Sequence, residues 1–114
     1  MAQRPTNPTL SSHRFLADMY GDGYFPDNLV ALVEAVLLAL CVEIERADAL
    51  DLAGLYRLTH RATEQVNALQ ELFWEAGSEI ETGARETIAG DFAAIATAYG
   101  FEADIEELIA PRDW

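Results

Sequence analysis

Four polar side chains at helical spacing form the main candidate for a functional site in this sequence. His60 and Glu64 are one helical turn apart, so the carboxylate can reach the imidazole. A carboxylate beside an imidazole fixes its tautomer and raises its basicity, which suits a general base. Tyr56 and Asn67 lie within about 60° of His60 around the helix, since each residue turns by about 100°. This pattern could support a small-molecule site or an enzyme.

The same helix also has a purely structural interpretation, which we favour. Thr63 and Gln70 lie where its apolar face meets its polar face, and buried hydroxyl and amide groups must find hydrogen-bond partners. Asp91, on the core side of the following long helix, is a candidate partner for them. The expected binding site or polar seam therefore comprises one set of residues: Tyr56, His60, Thr63, Glu64, Asn67, Gln70 and Asp91.

We expect no metal, no cofactor and no catalytic residue. A metal ion needs three or four ligands, and the helical motifs H-E-x-x-H and E-x-x-H are absent. The second histidine, His13, lies near an N-terminal segment that we expect to be loose. Asp18, Asp22 and Asp27 invite a calcium interpretation, but they lack the spacing and the terminal glutamate of an EF-hand.

Two further features could belong to an interaction surface. The loop at residues 20–26 is rich in aromatic side chains, and Tyr24 and Phe25 either anchor it or form an exposed contact patch. Two glycines inside a predicted helix each cost about 1 kcal/mol relative to alanine, and they would allow another backbone to approach closely. These glycines share one helix face with two glutamates: Glu79, Gly83, Glu86 and Gly90.

Hydrophobic periodicity predicts an all-α fold, a compact antiparallel bundle of three long helices plus two short ones. We expect one domain over residues 1–114, with residues 1–11 as a loose arm. A cap at Asp48 or Asp51 begins the second long helix, and a capping box from Ser78 to Glu81 begins the third. The predicted helices are a short one capped by Ser12 and running to Met19, then about 26–46, 52–76, 79–99 and 104–110.

The charge balance narrows the classes of partner. The chain carries a net charge of −13, and its seven positive side chains are all arginine. Such a surface repels phosphate backbones and attracts a basic protein, so we expect no nucleic acid. The longest apolar run, residues 29–44, is interrupted by Glu34 and Glu43 and is short for a bilayer span, and the N-terminal residues carry no apolar signal segment. With the single Cys41, this predicts a cytoplasmic protein away from membranes.

Several short motifs give the chain a family resemblance. They are LADMY at 16–20, YFP at 24–26, LTH at 58–60, ATEQ at 62–65, SEIET at 78–82 and ARE at 84–86. With these motifs the chain resembles a family of small, uncharacterised bacterial proteins, a domain of unknown function, from about residue 15 to residue 114. The resemblance implies a small bacterial stand-alone domain, and it supplies no activity, cofactor or catalytic residue.

The leading functional prediction is a small acidic helical protein that acts through protein–protein interaction, without catalysis. The alternative is a small-molecule-binding protein or enzyme that uses the polar stripe around His60 and Glu64. A monomer and a homodimer both remain open, and the glycine face is one surface on which two copies could pair.

Overall fold

Three long helices form an antiparallel bundle in the computed structural model, which describes residues 4–114. The predicted all-α class is confirmed, and no strand occurs within those residues. Helix α3 packs against both α4 and α5, while three short helices, instead of the predicted two, contact the long ones. The helices in chain order are α1 (Pro8–Ser11), α2 (Ala17–Tyr20), α3 (Asp27–Arg46), α4 (Leu52–Glu75), α5 (Thr82–Ala98) and α6 (Ile105–Leu108).

Helix α3 is apolar on most of its circumference, and nine of its residues are buried. It begins after Pro26, with Asp27 in its first turn, as the sequence predicts. Cys41 is fully buried there, and burial raises the pKa of its thiol to about 12, so it packs as a small apolar side chain. Neither α3 nor any other helix in residues 4–114 combines the length and apolarity needed to cross a membrane.

Capping explains how α4 begins and ends. Of the two predicted caps, Asp51 is the one used, and its carboxylate accepts a hydrogen bond from the Gly54 amide at 2.8 Å. After the last helical residue, Gly77 adopts a left-handed φ of 78°, which glycine tolerates better than other residues. The Ser78 amide then donates to the Phe73 carbonyl at 2.8 Å and closes the turn.

The predicted capping box at Ser78 is wrong. Because the Ser78 amide closes the end of α4, this residue is not available to begin α5, and its hydroxyl is buried without a partner in the described structure. The N-cap of α5 is Glu81, whose own carboxylate accepts a hydrogen bond from the Ala84 amide at 2.7 Å. Helix α5 therefore begins at Thr82, about one turn later than predicted.

The predicted helix between Ser12 and Met19 is also wrong, because α1 and α2 are separate turns. Ser12 lies at the end of α1, where its hydroxyl donates to the Pro8 carbonyl at 3.2 Å. Leu16 has a left-handed φ of 55°, which interrupts the helical path. The last short helix agrees in position with the prediction and is capped by Asp104, although it is shorter.

The described part of the N-terminal segment is docked, in contrast to the loose arm that its prolines predict. The Glu45 carboxylate accepts hydrogen bonds from the Thr6 amide at 2.9 Å and the Asn7 amide at 3.0 Å, and also from the Tyr99 hydroxyl. The side-chain amide of Asn7 donates to the Ala98 carbonyl at 2.9 Å. These contacts join the segment to both α3 and the end of α5. Residues 1–3 of the predicted arm lie outside the described residues.

Replacing Glu45 by Gln should release this segment while the bundle stays folded. Burial raises the pKa of Glu45, but hydrogen bonds from Tyr99, Thr6 and Asn7 outweigh burial and hold the pKa below its usual value. A lowered pKa stabilises the folded state above the unfolded pKa, and this contribution is lost as pH falls through the folded value. The loss should therefore occur below about pH 4.3.

Hydrogen-exchange protection at Thr6 and Asn7 measures this effect. In the wild type we expect protection at pH 7 that falls below about pH 4. In Glu45→Gln, protection at pH 7 should already be weaker by about 1–3 kcal/mol of opening free energy. Glu71→Gln removes the same charge from an exposed position and should leave both amides protected. Full protection in Glu45→Gln would contradict the assignment.

Candidate functional site

The polar stripe of α4 binds the chain's own segment after α5. The His60 Nε2 atom donates to the Glu107 carbonyl oxygen at 2.7 Å and lies 3.0 Å from the Glu107 carboxylate. The Tyr56 hydroxyl accepts a hydrogen bond from the Asp104 amide at 3.0 Å. Two of the predicted site residues therefore hold the start of this C-terminal segment.

Thr63 and Asn67 continue the same pattern one and two turns beyond His60 on α4. The side-chain amide of Asn67 donates to the Pro111 carbonyl at 2.9 Å and accepts a hydrogen bond from the backbone N–H of Asp113 at 2.8 Å. The Thr63 hydroxyl donates to the Thr59 carbonyl at 2.8 Å and lies 3.4 Å from the Leu108 carbonyl oxygen. The stripe thus supplies hydrogen-bond partners to backbone groups of residues 104–113.

The structure does not form the predicted pair of His60 and Glu64. Glu64 is exposed, and the carboxylate beside His60 belongs to Glu107 instead. Gln70, on the same helix, is buried. Neither of the two cavities described below is lined by His60.

Asp91 is buried as predicted, but its partners are not the polar groups of α4. Its carboxylate accepts hydrogen bonds from His13 Nε2 at 2.9 Å and from the Leu16 amide at 2.7 Å. Burial raises the pKa of Asp91, and the hydrogen bonds from His13 and Leu16 oppose that effect. Asp91 therefore fastens the segment before α2 to α5. The sequence does not reveal this role, because His13 lies near a segment predicted to be loose.

A cleft of about 850 Å³ opens beside Asp91, between α2 with its following loop and the first half of α5. Its charge is strongly one-sided, because Arg14 is the only basic residue in its lining. Such a cavity attracts amines and guanidinium groups and repels anions. The carboxylates that line it are Asp18, Asp22, Glu81, Glu86 and Asp91.

The cleft unites two features that the sequence identified separately. Phe25 is buried and anchors the aromatic loop, whereas Tyr24 is 46% exposed at the cleft wall. Gly83 and Gly90 of α5 line the same cleft. A Cβ atom added at Gly90 would meet no atom of the chain within 4 Å, so internal packing does not require glycine there. The open space above this helix face is therefore available to a ligand.

No three His, Cys, Asp or Glu side chains in residues 4–114 are placed to hold a metal ion. The cleft carboxylates are therefore spread over two walls and do not converge on one point within that part of the chain. This distribution suits an extended or multiply charged cation better than a single ion.

The fold and the cleft together define a small helical domain with a charged groove. A family model described as a family of unknown function, DUF5713, matches residues 9–114. The chain belongs to this family, and the resemblance to an uncharacterised family is confirmed. Searches of curated proteins and of solved structures gave no match.

Substitutions at Asp91 should separate its hydrogen bonds from its charge. Asn can still accept from the Leu16 amide and can donate to His13 in its other tautomer, so Asp91→Asn should change the free energy of unfolding by less than about 1 kcal/mol. Asp91→Leu leaves the buried Leu16 amide without an acceptor and should cost about 2–4 kcal/mol. Urea denaturation measures both values, and equal losses in the two variants would contradict this role.

Asn67→Ala should detach the end of the C-terminal segment, because it removes two hydrogen bonds to backbone groups. We expect a cost of about 1–3 kcal/mol, measured in a Trp74→Phe background where Trp114 is the only tryptophan. Trp114 is 4% exposed, so its emission should shift to longer wavelength and acrylamide quenching should rise. Gln65→Ala, at an exposed position of α4, should leave the emission unchanged. An unchanged spectrum in Asn67→Ala would refute this anchoring.

Proposed function

We propose that the protein binds a positively charged segment of another protein in the acidic cleft and acts through that contact, without catalysis. One observation carries the proposal: five carboxylates and a single arginine line a cavity of about 850 Å³. Cavities of a few hundred cubic ångströms and more are typical of specific binding sites. The charge of this cavity favours lysine and arginine side chains as the groups that enter it.

The rest of the molecule supports a basic partner. The net charge of −13 raises the local concentration of positively charged molecules and speeds their encounter with the protein. At the cleft wall, the exposed ring of Tyr24 can take a cation on its face, worth about 0.5–1 kcal/mol at such a site. Charge would then govern encounter, and the aromatic contact would add affinity.

The glycines of α5 support a partner that lies close to the helix. A glycine inside a helix costs about 1 kcal/mol relative to alanine, and nothing in the chain packs above Gly90 to offset this cost. A partner backbone seated on Gly90 would provide that compensation, whereas a Cβ atom at Gly83 would lie 3.1 Å from the Glu81 carboxylate that caps the helix. The same face could instead pair with a second copy of the chain, which is the homodimer alternative.

The alternative function, a small-molecule site or an enzyme at the α4 stripe, has less support. Tyr56, His60 and Asn67 already hold the segment 104–113 by hydrogen bonds. A ligand would have to displace that segment before it could reach His60. The contacts therefore favour the cleft as the place where a partner binds.

We place this activity in the cytoplasm of a bacterium. The single cysteine of the chain, Cys41, is a buried thiol, and a protein of this size without disulfides fits a reducing compartment. The bacterial source is carried over from the family resemblance.

A synthetic arginine-rich peptide labelled for fluorescence anisotropy tests the proposal. Asp18→Asn with Glu86→Gln removes two charges from the cleft, and Glu71→Gln with Glu75→Gln removes two from exposed positions of α4. We expect the cleft variant to weaken binding by at least about tenfold and the α4 variant by less than about threefold. Higher salt should weaken binding to the wild type.

Equal weakening by the two double variants would show that overall charge alone attracts the peptide, and it would refute the cleft as the site. Binding that is insensitive to salt would equally contradict an acid-driven contact. Light scattering at high protein concentration tests the homodimer, because a monomer there removes the second copy as the occupant of the glycine face.

A further inference from the structure

We propose that the protein has a second binding site, for a small oxyanion, between the end of α3 and the start of α4. A pocket of about 320 Å³ lies there. Three of the seven positive side chains of the chain line it, Arg46, Arg57 and Arg61. This site is separate from the acidic cleft and does not depend on the function proposed for the cleft.

The helices α3 and α4 bring these arginines together from both sides of a tight turn. Arg46 is the last residue of α3, while Arg57 and Arg61 stand one helical turn apart on α4. Gly54 is buried beneath them, and a Cβ atom placed there would lie 3.5 Å from the Arg57 Nη2 atom. The same Cβ atom would lie 2.7 Å from the Leu50 Cδ1 atom and 3.0 Å from the Asp51 Oδ1 atom, so glycine lets the turn between α3 and α4 pack closely against α4.

Two of the three guanidinium groups have no internal partner in the described structure. Arg61 donates to the Glu43 carboxylate at 3.3 Å. For Arg46 and Arg57, residues 4–114 offer no carboxylate within the 4.0 Å of an ion pair. Each guanidinium group carries five N–H donors. Both side chains are exposed, so a ligand that enters the pocket can reach these donors.

The chemistry of the pocket selects an oxyanion. The planar guanidinium fork matches the two oxygens of a carboxylate or a phosphate, and such bidentate, charge-assisted bonds are strong. Gly54, Glu43 and the apolar side chains of Ala47, Leu50 and Leu58 complete the lining. The one carboxylate in the lining, that of Glu43, pairs with Arg61, and three arginines against one glutamate leave the lining positively charged. Because the whole chain repels anions, an anion should bind only where the positive groups converge. The proposed ligand is an oxyanion that carries a carboxylate or a phosphate group, because both present a suitable pair of oxygens to a guanidinium group.

Titration of the ¹⁵N-labelled full chain with sodium phosphate, and separately with sodium succinate, tests the proposal. Sodium chloride keeps the ionic strength constant. We expect saturable amide shifts at residues 46–61 with at least one of the two probes. The probe with the lower dissociation constant identifies the ligand class as phosphate or carboxylate.

Matched variants make the test specific. Arg46→Gln with Arg57→Gln should raise the dissociation constant of the anion at least about tenfold, because each lost charge-assisted hydrogen bond removes part of the binding free energy. Arg4→Gln with Arg85→Gln removes the same charge from positions that line neither pocket and should change the dissociation constant by less than about threefold. Glu43→Gln frees Arg61 and removes a competing carboxylate, so it should tighten binding by about two- to fivefold.

Amide spectra with native dispersion show that each variant is folded. The tighter anion binding expected in Glu43→Gln is an independent test, because an unfolded variant could not produce it. No saturable shift with either probe would overturn the site. An equal loss in the two double-arginine variants would also overturn it, because overall charge would then explain the binding.

Discussion

The burial of α3 is the constraint on which the rest of the structure depends. Residues on nearly every side of this helix are apolar, so one neighbouring helix cannot remove it from water. Helices α4 and α5 cover part of it, and α2 contacts it as well. Covering α3 therefore requires the short segments of the chain as well as the long helices, and these segments must be held in place.

Polar contacts hold the short segments in place, because a four-residue helix buries too little surface to stay docked by itself. Glu45 holds residues 6 and 7, Asp91 holds the segment from His13 to Leu16, and the α4 stripe holds residues 104–113. Each acceptor or donor lies on a long helix, and most of its partners are backbone groups of a segment without regular structure. The long helices supply the apolar interior, and a few carboxylates, amides and hydroxyls fix the remaining segments on its surface.

The sequence predicts what is local and misses what joins distant residues. The long helices were predicted well because their apolar periodicity and the cap at Asp51 lie within each helix. The predicted capping box at Ser78 is wrong because the same residue closes the end of α4, and the local sequence pattern does not reveal this competition. His13 and Asp91 are 78 positions apart, so their hydrogen bond could not be anticipated. The sequence marks both walls of the cleft by their composition, but only folding places the loop of Tyr24 beside the glycines of α5.

Helix α4 binds backbone groups of residues 104–113, so mutations on the two sides of this contact have different effects. Tyr56 and Asn67 contribute their side chains, whereas Asp104, Pro111 and Asp113 contribute main-chain atoms to these bonds. Main-chain atoms are present whatever the residue type, apart from the amide that proline lacks. The segment can therefore vary its surface side chains widely during evolution while the helix beneath it cannot, and new surface chemistry can arise there at little risk to the fold.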